Sequence, residues 1–389
     1  MTNNEEIEKE IKNILYTINS LGYIAYIVGG AVRDKMLGLP INDYDICTNM
    51  PLDKVKELYP KFHIMKQNAN RQVGVLNILG TQTEIAQMKG QTIIEDLMKR
   101  DFTINTIIED ATGIIYDYLL SANDLNNHLI KLVNPNGEIF KEDPTRILRA
   151  IRLSSKLGFT IDKNCYQQML IYRKNLSTST PEKVYNELKK ILSGQYLPQI
   201  INNLKPFILE IIPEIKNKDY YNICNMIKES SNDYLLRLFI LLNSCSSSEI
   251  ASFTERLKVD KKTTKYLQAF LKYKNKLLSS KAKQINYIIN QYSITFLIAL
   301  FHYQEISFKI EMNQEGLVNL YKIEKIYFQA ISNLLSKNLT NLQVNPILFT
   351  TIPNMKVRLI VESDVIKNIR NHKLKPSEKE IKEYLLLKS

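Results

Sequence analysis

Cysteine and histidine are scarce in this chain, and neither residue is spaced for a site. The 389 residues include four cysteines and four histidines, and no two cysteines form a CxxC pair. This scatter argues against a disulfide framework, a zinc site and a local histidine-based metal cluster. It indicates a reducing compartment, and we therefore expect the protein in the cytoplasm.

Long apolar runs are also missing. No stretch reaches the roughly 18 apolar residues that a membrane span needs, and residues 1–11 are acidic and polar, unlike a signal or transit peptide. We therefore expect no membrane partner. The second half of the chain has no HxxxHD cluster, which predicts that no phosphohydrolase domain is appended. The oligomeric state stays open.

Positive charge is concentrated in the later part of the sequence. The net charge is +12, yet residues 1–140 contain 13 Lys and Arg against 18 Asp and Glu, so the remainder carries +17. A basic surface attracts phosphate backbones without reading their sequence. Lysine-rich helices are also basic simply for solubility, and charge alone favours neither interpretation.

The first 140 residues mix helix and strand patterns. Apolar residues recur at three- and four-residue steps over residues 5–21, and Gly22 ends that predicted helix. Another helix is predicted at residues 52–58. Runs of β-branched, aromatic or alternating residues predict strands at residues 23–28, 43–47, 73–79 and 83–88, the last two as a hairpin around Gly80-Thr81.

From Pro144 onward the pattern is helical, and everything strand-like lies before about residue 140. Thr180 and Pro181 begin a helix as cap and first residue. Similar patterns occupy residues 232–243, 249–277 and 315–336. We predict an α+β fold: a small mixed-sheet head at residues 1–140, a helical neck at 141–200, and an elongated helical body and tail at 201–389.

The stretch "DYD" places two carboxylates at Asp43 and Asp45. In a strand, residues i and i+2 point to the same side, so the two like charges repel unless a cation lies between them. Magnesium is the natural candidate, because it takes carboxylate oxygens together with substrate phosphates. A lone DxD is more often a solvated turn.

Two glycines nearby favour the interpretation of Asp43 and Asp45 as a magnesium site over a solvated turn. Gly29 and Gly30 follow a predicted strand and precede a helix, where backbone N–H groups can approach an anion. Arg33 lies one turn further and could reach a triphosphate. Alone, the glycines would indicate only a tight turn with Arg33 on the surface.

A third stretch, "EDPTR", places Asp143 and Arg146 three residues apart on one helical face. An acceptor beside a donor can complement the edges of both C and A if the side chains rearrange. Asp143 before Pro144 is equally a good helix start. A surface ion pair is the other alternative.

Four motifs in order carry a resemblance to a known family. "GGAVRD", "NDYDICTN", "RDFTIN" (residues 100–105) and "EDPTRILRAIRLSSKLGFTID" (residues 142–162) resemble the class II tRNA nucleotidyltransferases and bacterial poly(A) polymerases. These belong to the DNA polymerase beta-like nucleotidyltransferase superfamily. The likeness covers roughly residues 22–195 and thins beyond, so it implies a polymerase-beta-like nucleotidyltransferase head.

The resemblance implies roles for the first two motifs. Asp43 and Asp45 would be the catalytic, metal-binding carboxylates for two Mg²⁺ ions. Gly29, Gly30 and Arg33 would bind the incoming triphosphate.

It also implies roles for the later motifs. Arg100 and Asp101 would hold the nucleotide sugar or phosphates, with Asn105 nearby. Asp143 and Arg146 would present hydrogen bonds to the base edge.

Three further residues have supporting roles under the same resemblance. Arg149 and Arg152 would support the base-reading face and the phosphates. Glu84, on the predicted hairpin, would supply either a third acidic group or a structural hydrogen bond.

The implied activity is the addition of CCA to the tRNA 3′ end from CTP and ATP, with release of pyrophosphate. The family usually has a longer loop between the strand of Glu84 and the helix of Glu95. Here only eleven positions separate them, which raises a CC-adding enzyme as an option. The polar stretch at residues 63–75 is a second departure from the family pattern.

Three other functions are alternatives to this activity. A poly(A) polymerase would use the same motifs, although the chain lacks the long basic extension after the helical part. A small-molecule nucleotidyltransferase would need neither the Asp143–Arg146 pair nor a long basic arm. A non-catalytic RNA-binding relative would be expected to lose Asp43 or Asp45, and both are present.

Overall fold

The structure is a computed structural model that describes residues 3–65, 72–276, 287–288, 291–350 and 352–386. The chain divides into two compact units, Met1–Ser179 and Thr180–Ser389. Their boundary falls inside the predicted neck, and the three-part division at residues 140 and 200 stays a prediction. Residues 66–71 of the polar stretch at 63–75 lie outside the described residues.

The first unit contains a seven-stranded mixed sheet. Its strands are β1 Ala25–Val28, β2 Tyr44–Thr48, β3 His63–Met65, β4 Val73–Ile78, β5 Thr81–Gln87, β6 Ile108–Glu109 and β7 Ile115–Tyr116. Their order is β3-β4-β5-β2-β1-β6-β7, and β2 and β5 run parallel while the other neighbours are antiparallel. The predicted mixed sheet is therefore confirmed.

Register decides which side chains share a face of this sheet. Val28 pairs with Asp45, which pairs with Glu84, which pairs with Val75. Directly paired residues point to the same side. The acidic row thus lies on one face, while the neighbours Ile27, Ile46 and Ile85 are buried on the other.

Helices surround the sheet in the first unit. They are α1 Asn3–Ser20, α2 Gly30–Met36, α3 Leu52–Leu58, α4 Ile93–Met98, α5 Ala122–Asn126, α6 Ile139–Glu142, α7 Thr145–Leu157 and α8 Lys163–Tyr172. The apolar stripe of α1 is buried as predicted, because Ile7, Ile11 and Ile18 recur on one side. Ile147, Leu148 and Ile151 are likewise buried on α7.

The described part of the second unit is helical. Its α-helices are α9 Pro181–Leu192, α10 Leu197–Ile200, α11 Lys205–Ile211, α12 Tyr220–Lys228, α13 Tyr234–Leu241, α14 Ser247–Arg256, α15 Lys261–Tyr273, α16 Ile294–Ile310, α17 Gln314–Asn341, α18 Met355–Arg370 and α19 Glu378–Leu386. Aromatic rings help to fill the core, with Phe239 stacked on Phe270 at 4.4 Å and edge-on to Phe296 at 5.8 Å. The predicted helical remainder is confirmed.

Two expectations about elements were wrong. A short parallel pair joins β8 Leu129–Ile130 to β9 Thr160–Ile161, so strand structure continues past residue 140. Two-residue strands are too short to give a periodic signal.

The predicted helical segment 249–277 is broken between α14 and α15. Asp260 begins α15 by accepting hydrogen bonds from the Thr263 amide at 2.9 Å and hydroxyl at 2.8 Å. A side chain that caps a helix in this way starts a new helix at that position.

Candidate active site

The two carboxylates of "DYD" lie at the start of β2. Asp43 is exposed just before the strand, Asp45 is half-buried within it, and Tyr44 between them is buried. The alternation of the strand turns Asp45 away from the core on the Tyr44 side. Glu84 pairs with Asp45 across the parallel β2–β5 ladder and is also half-buried.

The turn at Gly29 lies beside both Asp45 and the guanidinium of Arg100. Gly29 has φ of 73° and ψ of −132°, a backbone conformation that favours glycine. A Cβ built on Gly29 would lie 3.3 Å from Asp45 Oδ2 and 3.6 Å from Arg100 Nη1. The missing side chain therefore leaves open a space bordered by an acid and a guanidinium.

This donor set fits a hard divalent cation. Two carboxylates on one side of a strand supply oxygen ligands and leave positions for substrate phosphates. Among the residues that the structure describes, no group of three or more His, Cys, Asp or Glu side chains could hold a metal ion.

The Arg33 guanidinium borders the glycine turn, since a Cβ built on Gly30 would lie 3.3 Å from its Nη2. Arg33 is 6% exposed, and its Nε and Nη2 donate to Asp34 Oδ1 at 2.9 and 2.6 Å. Its Nη1 donates to Asn105 Oδ1 at 2.7 Å. All three guanidinium nitrogens are therefore bonded inside the protein.

Arg100 lies beside the open space and is held from behind. Its Nε and Nη2 donate to Asp96 Oδ2 at 3.1 and 2.8 Å, and its Nη1 lies 3.5 Å from the Asn105 carbonyl oxygen. Asp96 is one turn earlier on α4, so the pair has ordinary i, i+4 geometry. This arrangement leaves Nη1 nearest to the Gly29 turn.

Asp101 is buried, in contact with Asn105 and Arg149. Its Oδ1 accepts from the Phe102 amide at 2.9 Å and from Asn105 Nδ2 at 3.0 Å, and its Oδ2 lies 3.1 Å from Arg149 Nη2. Burial by itself raises the pKa of Asp101, but the positive charge of Arg149 and these hydrogen bonds outweigh it and lower that pKa. Asp101 is therefore held as a carboxylate.

The base-reading pair predicted in the fourth motif lies at the start of α7. Asp143 Oδ1 accepts from the Thr145 amide at 3.1 Å and from its hydroxyl at 2.5 Å, so Asp143 supports the helix start. Arg146 is largely buried, which lowers its pKa, and its Nη1 has no hydrogen-bond partner among the described residues. A buried donor without a partner is costly unless a ligand completes it.

The remaining predicted residues are less central. Arg152 lies half-buried two turns after Arg146 on the same helix. Sequence reasoning missed Asp34, Asp96 and Lys156, whose Nζ lies 3.5 Å from Asp34 Oδ2. Asp96 precedes Arg100 by four residues, so helical spacing could have indicated that acid. Asp34 directly follows Arg33, and helical spacing gives no signal for a contact between adjacent residues.

Most of the sheet of the first unit lies in a region similar to a known domain family. Residues 25–91 and 80–131 match the family model described as the Poly A polymerase head domain. The family resemblance drawn from the four motifs is confirmed: this chain carries that head domain, and about half of it is similar to tRNA nucleotidyltransferases.

Two relatives illustrate the similarity. The CCA-adding enzyme of Staphylococcus haemolyticus is 34% identical over 217 residues, which are 51% of this chain and 53% of that protein. The CC-adding tRNA nucleotidyltransferase of Shouchella clausii is 37% identical over 181 residues, 46% of each chain. The chain therefore spans about half the length of the curated relatives it matches.

The similarity of fold to solved structures covers the whole chain. The crystal structure of the Bacillus stearothermophilus CCA-adding enzyme in complex with CTP matches with a TM-score of 0.66 and 21% identity. That match covers 100% of this chain and 98% of the other. The nucleotidyltransferases of this family generally use a divalent metal ion. No helix within the described ranges is long and apolar enough to cross a membrane.

Proposed function

We propose that this protein is a tRNA nucleotidyltransferase that adds CCA, or only CC, to the tRNA 3′ end from CTP and ATP. The observation that carries the proposal is the Asp43–Asp45 pair beside the Gly29 turn, with the partly unsatisfied Arg146 in the same unit. The first feature suits transfer of a nucleotidyl group, and the second suits recognition of a base edge.

In the proposed reaction the RNA 3′-hydroxyl attacks the α-phosphate of the nucleotide, and pyrophosphate leaves. Asp43 and Asp45 would hold Mg²⁺, for which we propose two ions, with Glu84 as a supporting acid. When bound, such ions neutralise charge at the reacting phosphates. Gly29 and Gly30 would leave room for the triphosphate, and Arg100 Nη1 would face it.

Nucleotide choice is assigned to α7. Arg146 Nη1 would donate to the base edge and Asp143 would accept from it, while Arg149 and Arg152 would support that face. Asp101 would hold the nucleotide sugar or phosphates together with Arg100, with Asn105 nearby. Arg146 is the group whose donor still needs a partner.

The basic second unit would contact tRNA. Lys261, Lys265 and Lys272 are exposed on α15 at spacings of four and seven residues, which places them along one helical face. Double-helical RNA is bound largely through its shape and backbone, for which a lysine stripe suffices. We also propose a cytoplasmic location, as the scattered cysteines predict.

The connection between β5 and α4 bears on how many nucleotides are added. The Lys89 amide donates to Asp96 Oδ1 at 3.0 Å, the Gln91 amide donates to Glu95 Oε2 at 3.1 Å, and Lys99 Nζ donates to the Lys89 carbonyl at 2.7 Å. A short connection tied at these points has little freedom to rearrange between nucleotides. We include CC addition in the proposal for this reason.

The test is extension of one tRNA transcript at single-nucleotide resolution, with Mg²⁺ and CTP, ATP or both. The transcript would lack the CCA end, end in CC, or end in CCA. Gain of CCA or of CC followed by a stop supports the proposal and decides between its two forms. Long A tails would replace it with poly(A) polymerase activity, and no extension would reject it.

A further inference from the structure

The guanidinium of Arg100 is held along one edge by a buried carboxylate. Asp96 Oδ2 accepts from Arg100 Nε at 3.1 Å and from Arg100 Nη2 at 2.8 Å. The side chain of Asp96 is 2% exposed and that of Arg100 is 15% exposed. A charged hydrogen bond that is shielded from water is stronger than one at the surface. Because the guanidinium is a rigid plane, the two bonds together fix its orientation.

The opposite edge of the same guanidinium lies at the glycine turn. A Cβ built on Gly29 would lie 3.6 Å from Arg100 Nη1 and 3.3 Å from Asp45 Oδ2. Arg100 Nη1 thus borders the space that the missing side chain leaves open beside an acid of the proposed metal site. Since Asp96 holds Nε and Nη2, the direction of Nη1 follows from the position of the Asp96 carboxylate.

The carboxylate of Asp96 is also held from its other side. Its Oδ1 accepts from the Lys89 amide at 3.0 Å, in the connection between β5 and α4. The Lys89 carbonyl oxygen in turn accepts from Lys99 Nζ at 2.7 Å. Because the two oxygens of Asp96 bind different partners, both contacts together fix the orientation of the carboxylate.

We propose that Asp96 is a positioning residue, which holds Arg100 Nη1 toward the triphosphate of the incoming nucleotide and so strengthens nucleotide binding without touching the substrate. An arginine that is already ordered loses less side-chain entropy when it binds a phosphate. This inference rests on the proposed function, which places the triphosphate at Gly29 and Gly30.

The charge of Asp96 makes the proposal sharp. A carboxylate by itself repels a triphosphate, so its removal would raise the affinity if charge alone mattered. Loss of the support for Arg100 would lower the affinity. The sign of the change in affinity therefore distinguishes positioning from simple repulsion.

The test is calorimetric binding of inorganic tripolyphosphate and of CTP, with Mg²⁺, to the full-length wild type and Asp96→Asn. An asparagine side chain has one acceptor oxygen and an NH₂ group, so it can accept from the Lys89 amide or from Arg100 but not from both as the carboxylate does. We expect the affinity for both ligands to fall about two- to thirtyfold.

Steady-state kinetics separates positioning from a loss of folded protein. In Asp96→Asn the KM for CTP should rise by a similar factor with a smaller change in kcat, because the lost contact concerns nucleotide binding. Partial unfolding would lower kcat and leave KM unchanged. Asp96→Glu keeps the buried charge and moves the carboxylate by one methylene group, so it gives a second measurement of the same loss if Asp96→Asn does not fold.

Glu95→Gln is the matched control. Glu95 is the exposed neighbour of Asp96 on α4, and its Oε2 accepts from the Gln91 amide at 3.1 Å in the same connection. The control removes one negative charge and weakens a contact to the connection without changing either bond between Asp96 and Arg100. Its affinity for tripolyphosphate should stay constant.

A double variant checks that the effect passes through Arg100. Adding Asp96→Asn to Arg100→Gln should cause little further loss of tripolyphosphate affinity, because both changes act on one guanidinium. A further loss as large as that of Asp96→Asn alone would show that Asp96 acts through another group, and the inference would then be wrong.

Two other results would overturn the inference. One is an unchanged or higher tripolyphosphate affinity in Asp96→Asn, and the other is an equal loss of affinity in Glu95→Gln. Failure of the wild type to extend tRNA would instead reject the proposed function, and the tripolyphosphate comparison needs no RNA.

Discussion

At the scale of single residues, exposure separates two groups of charged side chains in the head. Asp43 is exposed and Asp45 half-buried, whereas Arg33, Asp34 and Asp101 are buried in mutual contact. A buried charge is tolerated only when it is paired and hydrogen-bonded. The first group is at least partly exposed to solvent, and the charges of the second are paired inside the protein.

Replacing either acid of the Asp43–Asp45 pair should stop nucleotide addition. Asp43→Ala and Asp45→Ala are each expected to lower the rate roughly a hundred- to a thousandfold or more, because a charge that acts at the reacting phosphates is lost. Affinity for tRNA should stay nearly constant in a gel-shift assay. Glu57→Ala, at an exposed position on α3, is the control, and equal loss of binding and activity would argue against the assignment.

Asp101 should give a pH-dependent contribution to stability. Because its pKa is lowered in the folded protein, its ionised form stabilises the fold above the unfolded value near 3.8. This contribution is lost as the pH falls through the lowered pKa. Asp101→Asn should cost about 1–3 kcal/mol at neutral pH, and the gap to wild type should narrow below about pH 4.

Urea unfolding over a pH series measures that gap. Asp53→Asn, which changes an exposed acid on α3, should show little effect at any pH. A gap that does not depend on pH would mean that Asp101 acts through shape and not through charge.

At the scale of elements, β4 needs a residue without a side chain. A Cβ built on Gly74 would overlap the ring of Phe62, which is fully buried. Gly74→Ala should therefore destabilise the protein by about 1–3 kcal/mol through overpacking. Phe62→Leu in the same chain should recover part of this loss in thermal unfolding, and a purely additive double variant would contradict the overlap.

In the second unit the buried guanidinium of Arg237 binds carbonyl groups at the C-terminal end of α9. Arg237 is 1% exposed and its Nη1 donates to the carbonyl oxygens of Leu192 and Gly194 at 2.8 and 2.6 Å. Burial lowers the pKa of Arg237 to about 10, so it remains charged at neutral pH. Its loss would leave helix-terminal carbonyls without a donor.

Arg237→Leu should accordingly cost about 2–5 kcal/mol in urea unfolding of the full-length protein. The matched change is Lys382→Leu, whose pair with Glu378 is exposed on both sides. That surface pair should cost at most about 1 kcal/mol. Similar losses in the two variants would show that burial does not decide the effect.

At the scale of the whole molecule, the charge distribution should govern RNA affinity. Lys261→Glu together with Lys272→Glu reverses two exposed charges on α15. We expect tRNA affinity to fall about tenfold at low salt. The slope of log affinity against log salt concentration should become shallower, by the amount that about one or two phosphate contacts contribute. The measurement is a gel shift over a salt series.

The same charge change elsewhere controls for net charge. Lys56→Glu with Lys61→Glu alters two exposed lysines of the acidic head. If this pair lowers affinity as much as the α15 pair, attraction by overall charge explains binding and the α15 stripe does not.

The sequence by itself determined the fold class and the acidic pair. The periodic spacing of apolar residues predicted α1, β1, β2, α3 and the β4–β5 hairpin, because side-chain alternation and helical spacing are local properties. Asp43, Asp45 and the glycines were predicted as site residues for the same reason, since neighbours in the chain define their spacing. The short pair β8–β9 and the break before Asp260 were missed, because two-residue pairing and capping leave little periodic signal.

Only the tertiary structure decided which groups Arg33 contacts beside the glycine turn. Local spacing placed it one turn after the glycines, while the fold surrounds it with Asp34 and with Asn105 from 72 positions later. Likewise, Asp101 and Arg149 are 48 positions apart and meet through packing of α7. Such contacts depend on which elements pack together, and a local pattern contains no information about that.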